Sequence, residues 1–187
     1  MEEVMRVARG GGVAEAAERD FDELFRAVWP RAVLAARRIV GPGEDPEGLA
    51  AEALTRAYDR WSTVRRHPAP EAWVLRVTIN LALDRVRHRA RTSPGLIDLV
   101  GAGGGGSVDS FDEATVIRLA LCAALSRLPG KQRDAVALRY LGGCVEADIA
   151  ASMKISPGTV KTHLRRGLEK LRTQAANDPE AHLAIAH

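Results

Sequence analysis

The chain has 187 residues, room for one medium domain or two small ones. Hydrophobic residues make up 46% and charged residues 27%, which excludes wholesale disorder, and no apolar run approaches the roughly 18–20 residues of a membrane span. Net charge is only +3, so the distribution of charge, and not its sum, must point to a partner.

The N-terminus, MEEVMRVARGGG, carries early acids and no apolar stretch, so it is not a secretory signal. With Gly10, Gly11 and Gly12 breaking the periodicity, residues 1–19 read as a flexible extension. Asp20 then suits an N-cap for a helix through Phe21, Leu24, Phe25 and Val28, which Pro30 should kink or split. GPGEDP marks a turn, and a second helix begins near Pro46 with Leu49, Ala53, Ala57 and Trp61 along one side. Pro68 and Pro70 mark the next break.

The third helix, from about Pro70 to Arg91, carries two stripes. Ala72, Leu75, Ile79, Leu83 and Val86 recur at three- and four-residue steps and make a core face. Trp73, Arg76 or Val77, Asn80, Asp84, Arg87 and Arg91 recur at the same period. RVRHRAR, from Arg85 to Arg91, places four arginines and His88 within two turns. Such an end is often only a solvated face complementing the helix dipole. Joined to a tryptophan and an amide, it is also what single-stranded nucleic acid asks for, through phosphate neutralisation and base stacking.

From Thr92 to Asp109 the periodicity stops, and Gly103 to Gly106 form an unbroken run. No strand precedes these glycines and no Lys-Ser/Thr pair follows, so residues 93–110 read as a flexible linker and not a nucleotide-binding loop. Ser110-Phe111-Asp112-Glu113 is a capping-box pattern, opening a helix through Val116, Ile117, Leu121, Leu125 and Leu128. Cys122 within it reads as a small buried hydrophobe, and with Cys144 it fits no CxxC or zinc spacing; a reduced cytoplasmic chain is expected. Pro129 suits the first turn of the next helix, which should run to about Tyr140 and end at Gly142-Gly143.

Residues 146–172 read EADIAASMKISPGTVKTHLRRGLEKLR. A short helix, Glu146 to about Met153, meets a tight turn at Lys154-Ile155; Ser156 caps a longer helix opened by Pro157. Ile149, Ala150, Ile155, Val160 and Leu164 form the inward set, with Ala150 small enough for the helices to cross closely. This is a helix-turn-helix, whose second helix enters a DNA major groove by its N-terminal end. Thr159, Lys161, Thr162, His163, Arg165 and Arg166 are the groove-facing candidates. Between Leu128 and Arg172, nine basic residues against four acidic leave +5, an electrostatic footprint for nucleic acid.

The chain resembles the extracytoplasmic-function (ECF) sigma factors, minimal bacterial initiation factors that keep the second and fourth of their family's regions. The likeness rests on Leu128-Pro129 with Arg133, Leu138-Arg139-Tyr140, Ile149-Ala150, and Ser156 to Lys161 followed by Leu164 and Arg166. In the second region it rests on EALTRAY, from Glu52 to Tyr58, and WVLRVTINLALDR, from Trp73 to Arg85. The resemblance implies an all-α chain of two small helical domains, 20–92 and 111–174, joined by the Gly-rich linker and followed by a tail, 175–187.

It further implies no catalysis, no cofactor and no metal. The partners would be RNA polymerase core and promoter DNA, with an anti-sigma factor, as such factors often have. Thr159, Lys161, Thr162, His163, Arg165 and Arg166 would meet the −35 duplex. Trp73, Arg76, Asn80, Asp84, Arg87 and Arg91 would lie beside the single strand of the −10 element, with residues 61–72 holding a flipped base. Leu49, Glu52 and Arg56 would dock on the polymerase clamp.

Four positions depart from the family pattern: Gly48 and Ala51, where aspartate and glutamine are common; Lys154, where glycine is usual; and His163, where arginine is common. The alternative is a helix-turn-helix regulator that is not a polymerase subunit; a receiver-linked regulator would need strands that residues 20–92 lack. An enzyme such as a nuclease is disfavoured because His67, His88, His163, His182 and His187 are scattered without nucleophile–base pairing. A linker of about 18 residues reaches only about 23 Å, whereas promoter elements about two helical turns apart lie about 70 Å apart. The free chain should therefore not hold its domains at promoter spacing.

Overall fold

The computed structural model describes residues 2–41, 44–92 and 113–177, and side chains within these ranges from 18 onward except 90, 91, 113, 114 and 177. The Gly-rich linker, the Ser110 capping box, His182 and His187 lie outside the described residues. Among those described, eight helices and no strand occur: α1 Glu2–Val40, α2 Pro46–Asp59, α3 Trp61–Val64, α4 Pro70–Thr92, α5 Glu113–Ser126, α6 Gly130–Tyr140, α7 Glu146–Met153 and α8 Pro157–Asn177.

Helix α1 departs from expectation at both ends of its first half. It is continuous from Glu2, so Asp20 lies inside it and caps nothing. The run Ala14 to Glu18 consists of strong helix formers, and these favour propagation over a break. Pro30 also sits within the helix. Proline removes one backbone donor and crowds the carbonyl four residues back; here Pro30 and Arg26 both lie on the exposed side of the helix. On the opposite side Val28, Ala32, Ala35, Ala36 and Ile39 are buried to 1% or less, and this packed stripe outweighs the local cost.

Helix α2 starts where Asp45 accepts the N–H of Gly48 at 2.7 Å, with Pro46 in the first turn. Leu49, Ala50, Ala53, Leu54 and Ala57 make its inner face. Trp61, expected on α2, instead opens the one-turn α3. Phe21 stands edge-on to both Tyr58 and Trp61, at centroid separations of 5.0 and 5.3 Å, a favourable ring geometry.

Helix α4 is the centre of the molecule. The expected stripe is buried at Ala72, Leu75, Ile79 and Leu83 and half-buried at Val86, but Val74, Thr78 and Ala82 on a neighbouring face are also at 0%. Thr78 satisfies its hydroxyl by donating to the Val74 carbonyl at 3.0 Å. One stripe would serve a helix packed on one side. The wider burial arises because α4 packs against α1 and α2 and also against α6 and α7. One continuous apolar cluster joins the N-terminal helices to the C-terminal ones.

Within the C-terminal helices, Pro129 is the N-cap of α6 and not its first residue. Helix α8 crosses α6 at Gly167, where an added Cβ would stand 2.8 Å from Val136 Cγ2 and 3.5 Å from the Gln132 carbonyl oxygen.

Candidate nucleic-acid interface

Helix α7 ends at Lys154, whose φ of 55° and ψ of 48° are left-handed; it is the sole non-glycine with positive φ among the described residues. Its N–H reaches Ala151 O at 3.2 Å, and that of Ile155 reaches Ala150 O at 3.0 Å, closing the helix end where glycine would avoid a cost of roughly 1 kcal/mol. Ser156 Oγ accepts the N–H of Thr159 at 3.1 Å and opens α8. Ile149 and Val160 are fully buried, Ala150 and Leu164 nearly so, and Ile155 half-buried. The helix-turn-helix therefore stands as the spacing predicts.

The candidates on α8 differ in how they are presented. Thr159, Lys161, Arg165 and Arg166 are exposed; Thr162 and His163 are half-buried. In the free chain several have local partners: Thr159 and Ser156 hydroxyls meet at 2.8 Å, Thr162 Oγ1 donates to Gly158 O at 3.0 Å, and Arg165 pairs with Glu169 at 2.7 Å. Lys161 lies 3.9 Å from Glu146, with its side chain 70% exposed. These are surface contacts worth little, and a phosphate can replace them. His163 is set apart: its Nδ1 is buried without a partner, which places the ring on the flank of the α8 core face.

The stripe on α4 is brought together only in part. Asn80, Asp84 and Arg87 line an open cleft of about 520 Å³ whose other wall is Gly130, Lys131, Arg133 and Asp134 from α6. Asp84 and Arg87 pair with each other. Trp73 is half-buried and packed against the core. Arg76 is committed elsewhere: Nε and Nη2 donate to Asp134 Oδ2 at 3.1 and 2.7 Å, and Nη1 to the Ser152 carbonyl at 3.1 Å. Arg91's side chain falls outside those described. Of residues 61–72, the span 61–64 is α3 and 70–72 already belongs to α4, leaving 65–69 as the connecting turn; there His67 Nδ1 accepts the Ala69 N–H at 3.0 Å.

On α2 the expectation for Leu49 needs correction. Leu49 is only 6% exposed and belongs to the core, because it shares the helical face of Ala53 and Ala57. Glu52 and Arg56 lie on the outer face, paired at 2.6 Å. Glu47, next to the departures at 48 and 51, pairs with Arg37 at 2.7 Å.

The sequence reading gave no place at the helix junction to Arg31, Lys131, Arg133, Asp134 or Ser152. Arg31 Nη1 donates to Glu71 at 2.6 Å and Nη2 to the Gly142 carbonyl at 3.0 Å. Each is an ordinary polar residue locally, and its role exists only across the junction of distant helices.

Residues 24–92 match the family model Sigma-70 region 2, and residues 118–171 match Sigma-70, region 4. The class so defined is the sigma subunit of RNA polymerase. The chain is 32% identical to an RNA polymerase sigma-E factor of Streptomyces avermitilis over 83% of its own length and 84% of that protein's. It is 32% identical to the ECF RNA polymerase sigma factor SigE of Mycolicibacterium smegmatis, over 87% of this chain and 64% of that one. In fold it is similar to CnrH, solved in complex with the cytosolic domain of CnrY, with a TM-score of 0.52, 21% identity, and coverage of 88% and 95%. The chain belongs to the ECF group of sigma-70 RNA polymerase sigma factors. No described helix is long and apolar enough to cross a membrane.

Proposed function

We propose that the two matched regions divide promoter recognition between paired and unpaired DNA. The N-terminal half of α8 reads the −35 duplex through Thr159, Lys161, Thr162, Arg165 and Arg166, with His163 at the margin of the contact. Trp73, Arg76, Asn80, Asp84, Arg87 and Arg91 of α4 hold the single strand of the −10 element, and residues 65–69 receive a flipped base. Glu52 and Arg56, on the outer face of α2, meet the polymerase core. The domain limits that go with this reading are 20–92 and 111–174, with residues 93–110 as the link.

The observation that carries the reading is the helix-turn-helix itself: a left-handed Lys154, a Ser156 cap, and exposed cations over the first turns of the second helix. As a promoter-recognition subunit the chain carries no catalytic step, needs no cofactor or metal, and works in the cytoplasm beside the polymerase. An anti-sigma factor is its expected regulator, as the family resemblance implies; CnrH, similar in fold, was solved in complex with the cytosolic domain of CnrY. Run-off transcription with purified core polymerase tests the whole: promoter-dependent start sites are expected. A helix-turn-helix regulator outside the polymerase would bind DNA and confer none.

A further inference from the structure

We infer that the cleft between α4 and α6 binds the diphosphate group of a small molecule, of the kind a nucleoside diphosphate carries. The cleft holds about 520 Å³, within the range of small-molecule sites. At roughly 30 Å³ per water-sized group, that is room well beyond a single phosphate.

Its charges do not cancel. Five charged side chains line it, and both acids already hold an arginine: Asp84 pairs with Arg87, and Asp134 with Arg76. Lys131 and Arg133 are left with no carboxylate partner among the described residues. Arg133 Nε is buried and makes no hydrogen bond. Its Nη2 stands 3.8 Å from where a Cβ on Gly130 would lie, so the guanidinium is folded back over the start of α6. A cation beside the positive end of a helix is electrostatically unfavourable unless an anion joins them.

The backbone adds donors at the same place. Pro129 caps α6 without a side-chain hydrogen bond. The first N–H groups of the helix to find an acceptor are those of Gln132 and Arg133, at 2.9 and 3.0 Å from the Pro129 carbonyl oxygen. The N–H groups of Gly130 and Lys131 have no acceptor among the described residues, and both residues line the cleft. One phosphate can take these N–H groups together with Lys131 and Arg133. The second extends toward Arg87 on α4, and the Asn80 amide offers donors and an acceptor to the rest of the ligand.

The test uses the full chain and inorganic pyrophosphate, in metal-free buffer at about 0.15 M chloride, where diffuse surface attraction is screened. Calorimetric titration should saturate at one pyrophosphate per chain. Orthophosphate should bind at least about tenfold more weakly, having lost the second set of charge-assisted bonds, and ADP should displace pyrophosphate. Lys131→Gln with Arg133→Gln should weaken pyrophosphate at least about tenfold.

Two further variants separate binding from misfolding. Gly130→Pro removes one backbone donor alone: proline suits the first helical position, the Pro129 ψ of 140° tolerates it, and the Cβ position is open. It should weaken pyrophosphate about three- to tenfold with no fall in Tm. Asp84→Asn releases Arg87 and should tighten pyrophosphate about threefold or more, a gain that a misfolded chain does not show. No saturable binding, equal affinity for the two phosphates, or unchanged affinity in the Lys131 and Arg133 variant would overturn the site. Failure of ADP to displace pyrophosphate would overturn the ligand class.

Asn80, Asp84 and Arg87 are also the residues proposed above for the single strand, so on that reading bound diphosphate shuts the strand out. Saturating pyrophosphate should then release a fluorescent single-stranded 12-mer; simultaneous binding would refute this competition and leave the diphosphate site standing. Failure of the sigma reading would appear separately, as wild-type chain that gives no promoter-dependent run-off.

Discussion

Gly167 and Val136 are in direct opposition where α8 crosses α6, and a Cβ at 167 would come 2.8 Å from the Val136 Cγ2 methyl. Real Cβ atoms do not approach that closely, so the crossing depends on the missing side chain. Gly167→Ala should destabilise the chain by about 1–2 kcal/mol, overpacking outweighing the gain in helix propensity. Gly158, on the same helix, has open space around it, its nearest neighbour being Ser156 Oγ at 3.9 Å. Gly158→Ala should therefore stabilise by up to about 0.5–1 kcal/mol. Urea melts of the two variants should move in opposite directions.

Lys154 is exposed and holds a left-handed backbone that most side chains resist. Lys154→Gly removes that penalty while adding freedom to the unfolded chain, for a net gain of about 0.5 kcal/mol. A rise in Tm of about 1–2 °C is the expected outcome. A fall in Tm would show that the lysine stem contributes packing beyond its φ.

The duplex and single-strand roles proposed for α8 and α4 should separate by mutation. Arg165→Ala with Arg166→Ala should weaken promoter binding by the holoenzyme and lower the slope of log K against log salt by about 1.8, as two phosphate contacts are lost. Asn80→Ala should leave duplex affinity within about twofold and slow strand opening, read as lost permanganate reactivity near the start site. Loss of duplex affinity in Asn80→Ala would contradict the division of labour.

The buried thiols make stability depend on alkaline pH. Burial pushes Cys122 from 9.0 up to about 12, with Arg118 pulling weakly the other way. Cys144 is pushed from 9.0 up to about 11, again mainly by burial, against the nearby Arg31. Folding keeps both protonated while the unfolded chain ionises near 9.0. Their contribution is therefore intact below about pH 9 and is lost as pH rises toward 11–12. Between pH 8 and pH 10 each thiol should cost about 1.4 kcal/mol of unfolding free energy. Denaturant melts of Cys122→Ala with Cys144→Ala should show a correspondingly smaller loss over that interval.

The helix-turn-helix was legible from sequence because everything that makes it is local. The Ser156 cap, the tight turn at Lys154, the apolar Ile149 before it and the four-residue step from Val160 to Leu164 after it act within one supersecondary unit. The same holds for the inner face of α2, where the helical period already sets Leu49 with Ala53 and Ala57; only the resemblance suggested a surface role for it. Local signals also misled. Asp20 has the chemistry of a cap and Pro30 that of a breaker, yet α1 runs through both: strong helix formers precede Asp20, and a buried stripe from Leu24 to Val40 spans Pro30.

What the amino-acid order determined by itself, then, is the helical class, the helix-turn-helix and the surplus of positive charge around it. Those properties follow from periodicity, capping and composition, which act over a few residues. The tertiary structure alone decided where Arg76 goes. Its bonds to Asp134 and Ser152 span 58 and 76 positions, and α4 is buried more widely than its own pattern demands because a second set of helices closes over it. Contacts at that separation arise only when packing brings the helices together.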